Sequence, residues 1–274
     1  MDGTQKRAKA GTGGAAVAVA HLDAGYSPGA PVLADVSFTV ERGEIFALLG
    51  GSGCGKSTVM KHLIGLNPAL GGTIAVDGLE MNARNRAAIL RKIGVMYQSG
   101  ALFGSMSVLE NVMLPLEEFT SLPAEARRLL ALLQLDLVGL RDAAEKMPGD
   151  LSGGMRKRAA IARALALEPA ILFLDEPSAG LDPVTSNALD DLILRLRETR
   201  GVTFVIVTHE LPSIFKIVDR CAVFDRARRA MVALGRPAAL RDASDDPFVR
   251  RFFGRGEDAG RGARALNPEA EHVP

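Results

Sequence analysis

Residues 50–58 read Gly50-Gly51-Ser52-Gly53-Cys54-Gly55-Lys56-Ser57-Thr58, and Gly50, Gly55, Lys56 and Ser57 satisfy the pattern G-x-x-x-x-G-K-[ST]. Glycines at these places let the backbone curl until its N–H groups face an anion. Lys56 adds a full positive charge, a helix start adds a partial one, and the Ser57 hydroxyl is a hard oxygen suited to Mg²⁺. A strand-like run at 45–49 stands directly before the loop and a helical pattern follows from Lys56. That context separates a phosphate cradle from a turn that is merely rich in glycine. Cys54 occupies a variable position of the loop and reads as a small filler rather than a redox thiol.

Further along, Ile171-Leu172-Phe173-Leu174-Asp175-Glu176 is an apolar run ending in adjacent carboxylates. Such a strand hides its body and presents only its C-terminal edge, where α/β folds place their ligands. Asp175 suits an outer-shell role on the metal, and Glu176, on the other side of the chain, suits a general base that polarises an attacking water. Leu151-Ser152-Gly153-Gly154-Met155 opens a helical stretch to about 167, and a serine with glycines at a helix start is a further anion site.

The elements that must position these groups alternate between strand and helix, which predicts a mostly parallel sheet covered by helices. Strands are expected at 36–40, 45–49, 93–97, 171–174 and 203–207. The apolar stretch at 15–20 is also of strand length. Leu189, Leu192, Ile193 and Leu196 form one stripe, so 184–200 is expected to be an amphipathic helix. A leucine-dense block around 107–167 interrupts the strand pattern, with a helix start at Ser121-Leu122-Pro123-Ala124-Glu125. We take it as a helical insertion, about 99–168, in a nucleotide-binding core.

The expected organisation is a disordered start at 1–15, one domain at 16–253 and a flexible tail at 254–274 that can strap a partner. No internal repeat points to two fused nucleotide domains. The 33 basic and 32 acidic residues leave a formal charge of +1, which does not favour nucleic acid as a partner. Cys54 and Cys221 are too few for a disulfide framework and fit a reducing compartment. No apolar run reaches the roughly 20 residues of a spanning helix, and no apolar stretch follows the basic Lys6, Arg7 and Lys9 as a signal peptide requires. Work at a membrane would then be done by docking. His21, His62 and His272 have no motif around them and read as solvated or satisfied.

With Leu151–Met155 in view, the chain resembles the ABC ATPase family, whose signature is LSGGQ. The remaining motifs fall in that family's order over about 17–253. Gln98 matches the Q-loop glutamine, a contact of Mg²⁺ and water that senses the permease. Ser178-Ala179-Gly180-Leu181-Asp182 matches the D-loop that crosses the dimer interface, and His209 the switch histidine of the γ-phosphate. Tyr26 matches the aromatic residue that stacks on adenine. The resemblance implies a P-loop NTPase core of the RecA-like kind, with an N-terminal antiparallel β subdomain and an inserted helical subdomain. It further implies a homodimer, head to tail, with ATP and Mg²⁺ held between one subunit's phosphate loop and the other's signature.

Finer features narrow the type. Gln98-Ser99-Gly100-Ala101-Leu102-Phe103, together with Met155 ending the signature before Arg156-Lys157-Arg158-Ala159, is similar to the ATPase subunits of MCE systems, the Mla phospholipid transporters also known for organic-solvent or toluene tolerance. The resemblance implies integral-membrane permease subunits, an MCE-domain lipid-binding protein and a place on the cytoplasmic face of the inner membrane. Read without it, Met155 is a packing substitution and Arg156–Arg158 a solvated helix face. An importer ATPase for another solute, such as an amino acid or metal chelate, would carry the same core motifs. Soluble ABC proteins of ribosomes or DNA usually carry paired nucleotide domains, a coiled-coil insertion or zinc-binding cysteines, none of which the sequence displays.

Overall fold

The computed structural model describes residues 14–27 and 29–258, with side chains to Gly254. The start expected to be disordered lies outside these apart from Gly14 and Ala15, as do His272 and most of the expected tail. Runs of apolar, β-branched residues form a six-stranded sheet of order β10-β9-β3-β8-β7-β6. Its strands β3 (Ile45–Gly50), β6 (Ile93–Met96), β7 (Ile171–Asp175), β8 (Thr203–Val207) and β9 (Arg220–Asp225) run parallel, and β10 (Ala230–Gly235) pairs antiparallel at one edge. Both β3 and β8 are buried at every residue, as continuous apolar strands covered on both faces must be.

Against this lies a four-stranded antiparallel sheet of β1 (Val17–Ala24), β2 (Leu33–Val40), β4 (Gly71–Val76) and β5 (Leu79–Glu80), in the order β2-β1-β4-β5. Alternation on β7 divides its side chains between two cores. Ile171 and Phe173 pack with the antiparallel sheet and the helix α1 (Lys56–Leu63), while Leu172 and Leu174 pack with the helical block. Phe38 of β2 stacks on Phe46 of β3 at 5.1 Å, within the favourable range for aromatic pairs.

After the short α2 (Arg86–Leu90), the helices α3 (Val108–Phe119), α4 (Ala124–Leu137) and α5 (Gly153–Ala164) all lie between β6 and β7. Ser107 and Glu110 form a reciprocal capping box at the start of α3. Buried Asn111 on α3 accepts from Phe103 N–H at 2.8 Å and donates to the carbonyls of Phe103, Met106 and Ser107, which pins the loop after β6. Then α6 (Pro183–Arg200), α7 (Leu211–Ile217), α8 (Pro237–Ala243) and α9 (Pro247–Asp258) complete the elements of the described residues.

Sequence and structure differ at particular elements. Strands β4, β9 and β10 were not expected. Glycine-rich β4 and the alanine- and methionine-bearing β10 lack strand propensity and are held by their partners. The α5 helix ends at Ala164 rather than 167. The tail boundary at Gly254 falls inside α9, whose Val249 and Phe253 are anchored beside Leu49 and Val223.

The approach of α5 to the sheet is close enough to test. A Cβ on Gly94 of β6 would sit 2.1 Å from the Ala164 carbonyl oxygen and 2.5 Å from Leu172 Cδ2. Gly94→Ala should therefore cost about 1–3 kcal/mol of stability, the usual toll of overpacking. Urea unfolding measures it; a loss below about 0.5 kcal/mol, as for a neutral surface change, would mean α5 is free to ride off β6.

Candidate nucleotide and hydrolysis site

Parallel register lines up the strand ends. Leu48 of β3 lies opposite Val207 of β8, Asp175 of β7 opposite the same Val207, and Met96 of β6 opposite Leu174. The loop after β3, the carboxylates after β7, Gln98 and His209 are thereby delivered to one edge. All of these but Asp175 line one cleft of ≈ 530 Å³, formed by Gly50, Gly51, Ser52, Gly53, Lys56, Ser57, Gln98, Glu176 and His209, with Leu211 and Phe252.

Glycine is required at the start of this loop. Gly50 has φ 148°, and a Cβ there would lie 2.5 Å from the Phe224 carbonyl oxygen and 2.6 Å from Cys54 Sγ. The loop closes onto α1, whose N-terminus has no side-chain cap. Lys56, 8% exposed, donates to the carbonyls of Gly50 at 2.9 Å and Gly51 at 3.0 Å. A cation, a helix N-terminus and curled backbone thus converge on one wall. Cys54 is buried, and burial pushes its thiol pKa up, so its reactivity is suppressed as a filler's should be. Thr58, inside α1, is buried and within 3.3 Å of the Tyr26 hydroxyl.

Next to Lys56 on α1, the Ser57 hydroxyl lies 3.3 Å from Asp175 Oδ1. Burial raises the Asp175 pKa, while the Ser57 hydrogen bond and the charge of Lys56 pull it back. Among the described residues no cluster of three or more His, Cys, Asp and Glu is gathered for a metal. A hydroxyl beside a carboxylate instead suits a hard ion that takes its remaining ligands from phosphate and water.

Glu176 leaves the strand in a left-handed turn, φ 48°, fixed by its N–H donating to the Val207 carbonyl at 2.8 Å. Its Oε1 lies 2.9 Å from His209 Nδ1, and its Oε2 is buried without a hydrogen-bond partner. A carboxylate oxygen left without a donor has acceptor capacity to spare, which a general base requires. The His209 side chain is itself 57% exposed.

The other expected groups divide. Tyr26 stands 63% exposed beside an adjoining hollow of ≈ 300 Å³ lined by Val32, Gly53 and Gly55 to Thr58. Its turn is held by His62, which is fully buried and whose Nε2 accepts from Gly25 N–H at 3.0 Å. His21, by contrast, is exposed and paired with Asp35 at 2.7 Å. Leu151 is buried, and Ser152 caps α5 by accepting from Met155 N–H at 3.3 Å. This helix start does not face the phosphate loop. With Gly153 3.5 Å (as a Cβ) from Leu181, it faces the turn Ser178–Asp182 and α6, where Gly154, Leu181, Val184 and Thr185 border another cleft. In that turn Ala179 N–H donates to the Glu176 carbonyl, Gly180 has φ 77°, and Asp182 caps α6 through Val184 and Thr185.

Sequence reasoning missed two contributors. Phe252 reaches the cleft from α9, and no local motif announces it. Arg156, Lys157 and Arg158, a solvated face when read without the resemblance, all donate to backbone carbonyls. Arg156 binds Leu151, Lys157 binds Gln98 and Glu176, and Arg158 binds Val138. Burial pulls the Lys157 ammonium below the ordinary lysine range, opposed by the charges of Glu176 and Asp175. Periodicity alone cannot distinguish a buried lysine from a solvated one.

A family model described as ABC transporter matches residues 33–179. The intermembrane phospholipid transport system ATP-binding protein MlaF of Escherichia coli K12 is 42% identical over 222 residues, 80% of this chain and 81% of its own length. The probable ribonucleotide transport ATP-binding protein mkl of Mycobacterium tuberculosis H37Rv is 41% identical over 80% of this chain and 61% of its own. Among solved structures, cbiO1 of Clostridium perfringens, part of the transporter complex cbiONQ, superposes with a TM-score of 0.77 at 27% identity, covering 91% of this chain and 96% of that one. A dimeric post-hydrolysis state of the ATP-binding cassette MJ0796 with ADP and Pi gives 0.72 at 30% identity, covering 80% and 98%.

Proposed function

This chain belongs to the ABC transporter family, and from that premise we propose that it is the ATP-hydrolysing subunit of a phospholipid transport system. The observation that carries hydrolysis is the cleft in which Lys56, Ser57, Glu176 and His209 meet, with Asp175 accepting from Ser57. The cargo rests on the 42% identity to MlaF across four-fifths of the chain.

In this reading the loop Gly50–Thr58 binds the phosphates of ATP and Tyr26 stacks on its base. Ser57, Asp175 and Gln98 would hold Mg²⁺ with the nucleotide, and the ion supplies charge neutralisation at the phosphate oxygens when bound. Glu176 takes the proton of the attacking water, while His209 orients that carboxylate and contacts the terminal phosphate. Leu151–Met155 lies away from its own phosphate loop, so its capped helix start serves the ATP of a second copy arranged head to tail, with Ser178–Asp182 at the seam. The dimeric MJ0796 structure supports such pairing.

No described helix is long and apolar enough to cross a membrane. We place the dimer on the cytoplasmic face of the inner membrane, beneath integral-membrane permease subunits that work with an MCE-domain lipid-binding protein. Nucleotide-driven closure then moves the permease through the segment 98–106. Affinity capture of the tagged protein from its native membranes in mild detergent, with mass spectrometry of proteins and lipids, tests this. A permease, an MCE-domain protein and phospholipid should co-purify. A permease with a periplasmic solute-binding protein and no lipid would replace the lipid reading with a solute importer.

A further inference from the structure

The helix α5 reaches back across the fold with its cations. Lys157 is 8% exposed and makes no ion pair among the described residues; its ammonium donates instead to the Gln98 carbonyl and, at 3.1 Å, to the Glu176 carbonyl. Further along the helix, Arg163 donates to the carbonyls of Gly100 at 2.9 Å and Ala101 at 2.8 Å. The backbone so held is unusual, with φ 76° at Gly100 and 48° at both Ala101 and Glu176. A buried ammonium is costly unless its protons are taken up, and here they are taken up by groups belonging to the hydrolysis site.

We infer that Lys157 is a positioning residue that couples the two nucleotide sites of the dimer. The helix whose start meets one ATP holds, through one ammonium, the backbone of Gln98 and Glu176 at the other. This rests on the head-to-tail arrangement proposed above. The link is physical because Gly153–Ala164 is one continuous helix. A shift of its N-terminus on meeting a γ-phosphate displaces Lys157 with it, and the Gln98 and Glu176 carbonyls follow. Coupling between distant sites requires such an element, with an arrangement that both sites bias.

The test is ATPase rate against MgATP concentration in the full-length protein. Wild type should give a Hill coefficient above unity. Lys157→Met keeps the reach and removes the donors; it should bring the coefficient to about 1 and lower turnover about ten-fold or more. Lys157→Gln restores N–H donors without charge and should keep most of both properties. ATP affinity, measured in each variant combined with Glu176→Gln, should stay within about two-fold, which a merely distorted loop would not allow. A non-cooperative wild type, or a Lys157→Met enzyme that behaves as wild type, would overturn the coupling. Equal losses in both variants, matched by a drop in melting temperature, would overturn it as well, because a purely structural lysine predicts that. Ser152→Ala is measured alongside. Lost turnover there with a wild-type-like Lys157→Met defeats the coupling alone, and no loss at Ser152 defeats the head-to-tail arrangement and the coupling together.

Discussion

Glu176→Gln is expected to bind ATP as wild type does and to lose turnover by about 10²–10⁴-fold, the contribution of a positioned general base. The substitution is close to isosteric, so its effects are chemical. A glutamine at φ 48° has the same left-handed backbone problem as the glutamate, and its amide can still meet His209 Nδ1, now 2.9 Å from Oε1. What disappears is the proton acceptor, because an amide oxygen cannot take a proton from water near neutral pH. Binding should survive because Lys56, the loop backbone and Ser57 are untouched. With binding intact and hydrolysis stopped, the nucleotide-bound dimer should accumulate. Size-exclusion chromatography with MgATP should show a stable dimer for the variant and a transient one for wild type. Turnover within about two-fold of wild type would remove Glu176 from the base role.

The groups at this site were legible in sequence to different degrees, for identifiable reasons. The phosphate loop was plain because its residue types are imposed by geometry: Gly50 has a backbone and a crowding that no other residue tolerates, and Lys56 is the cation beside it. The strands β3, β7 and β8 were equally plain because strands buried on both faces carry unbroken apolar runs. The N-terminus of α5 announced itself through Ser152 and the glycines after it. Legibility failed where a residue's surroundings come from distant chain. Lys157 looks solvated beside Arg156 and Arg158, and only the fold brings it onto the Gln98 and Glu176 carbonyls after β6 and β7. Strand β10 carries little strand propensity and is a strand because β9 offers it hydrogen-bond partners. Phe252 enters the cleft only because Val249 and Phe253 dock α9 beside Leu49.

Lys56→Ala should fail at the earlier step. Its ammonium is the full positive charge on the loop's wall of the cleft, and it is 8% exposed at a helix start with a loop of N–H groups around it. A hydrogen bond to a charged partner contributes about 1.5–3 kcal/mol, and truncating one side of a buried charge pair costs about 3–5 kcal/mol. Affinity for ATP should therefore fall by about 10²-fold or more, at 1.4 kcal/mol per decade. Calorimetric titration measures it, and a melting curve checks that the loop still folds once the Gly50 and Gly51 carbonyls lose their donor. A neutral alanine also leaves the backbone free to close differently, so Lys56→Met, with similar reach and no charge, should weaken binding to the same extent. Unchanged affinity in both variants would contradict the phosphate-loop reading outright. The two largest effects can then be ordered. The Lys56→Ala, Glu176→Gln double variant should show no nucleotide-dependent dimer, because the block at hydrolysis is never reached when the phosphates are not held. A double variant that still accumulated the dimer with MgATP would place nucleotide capture elsewhere than on Lys56.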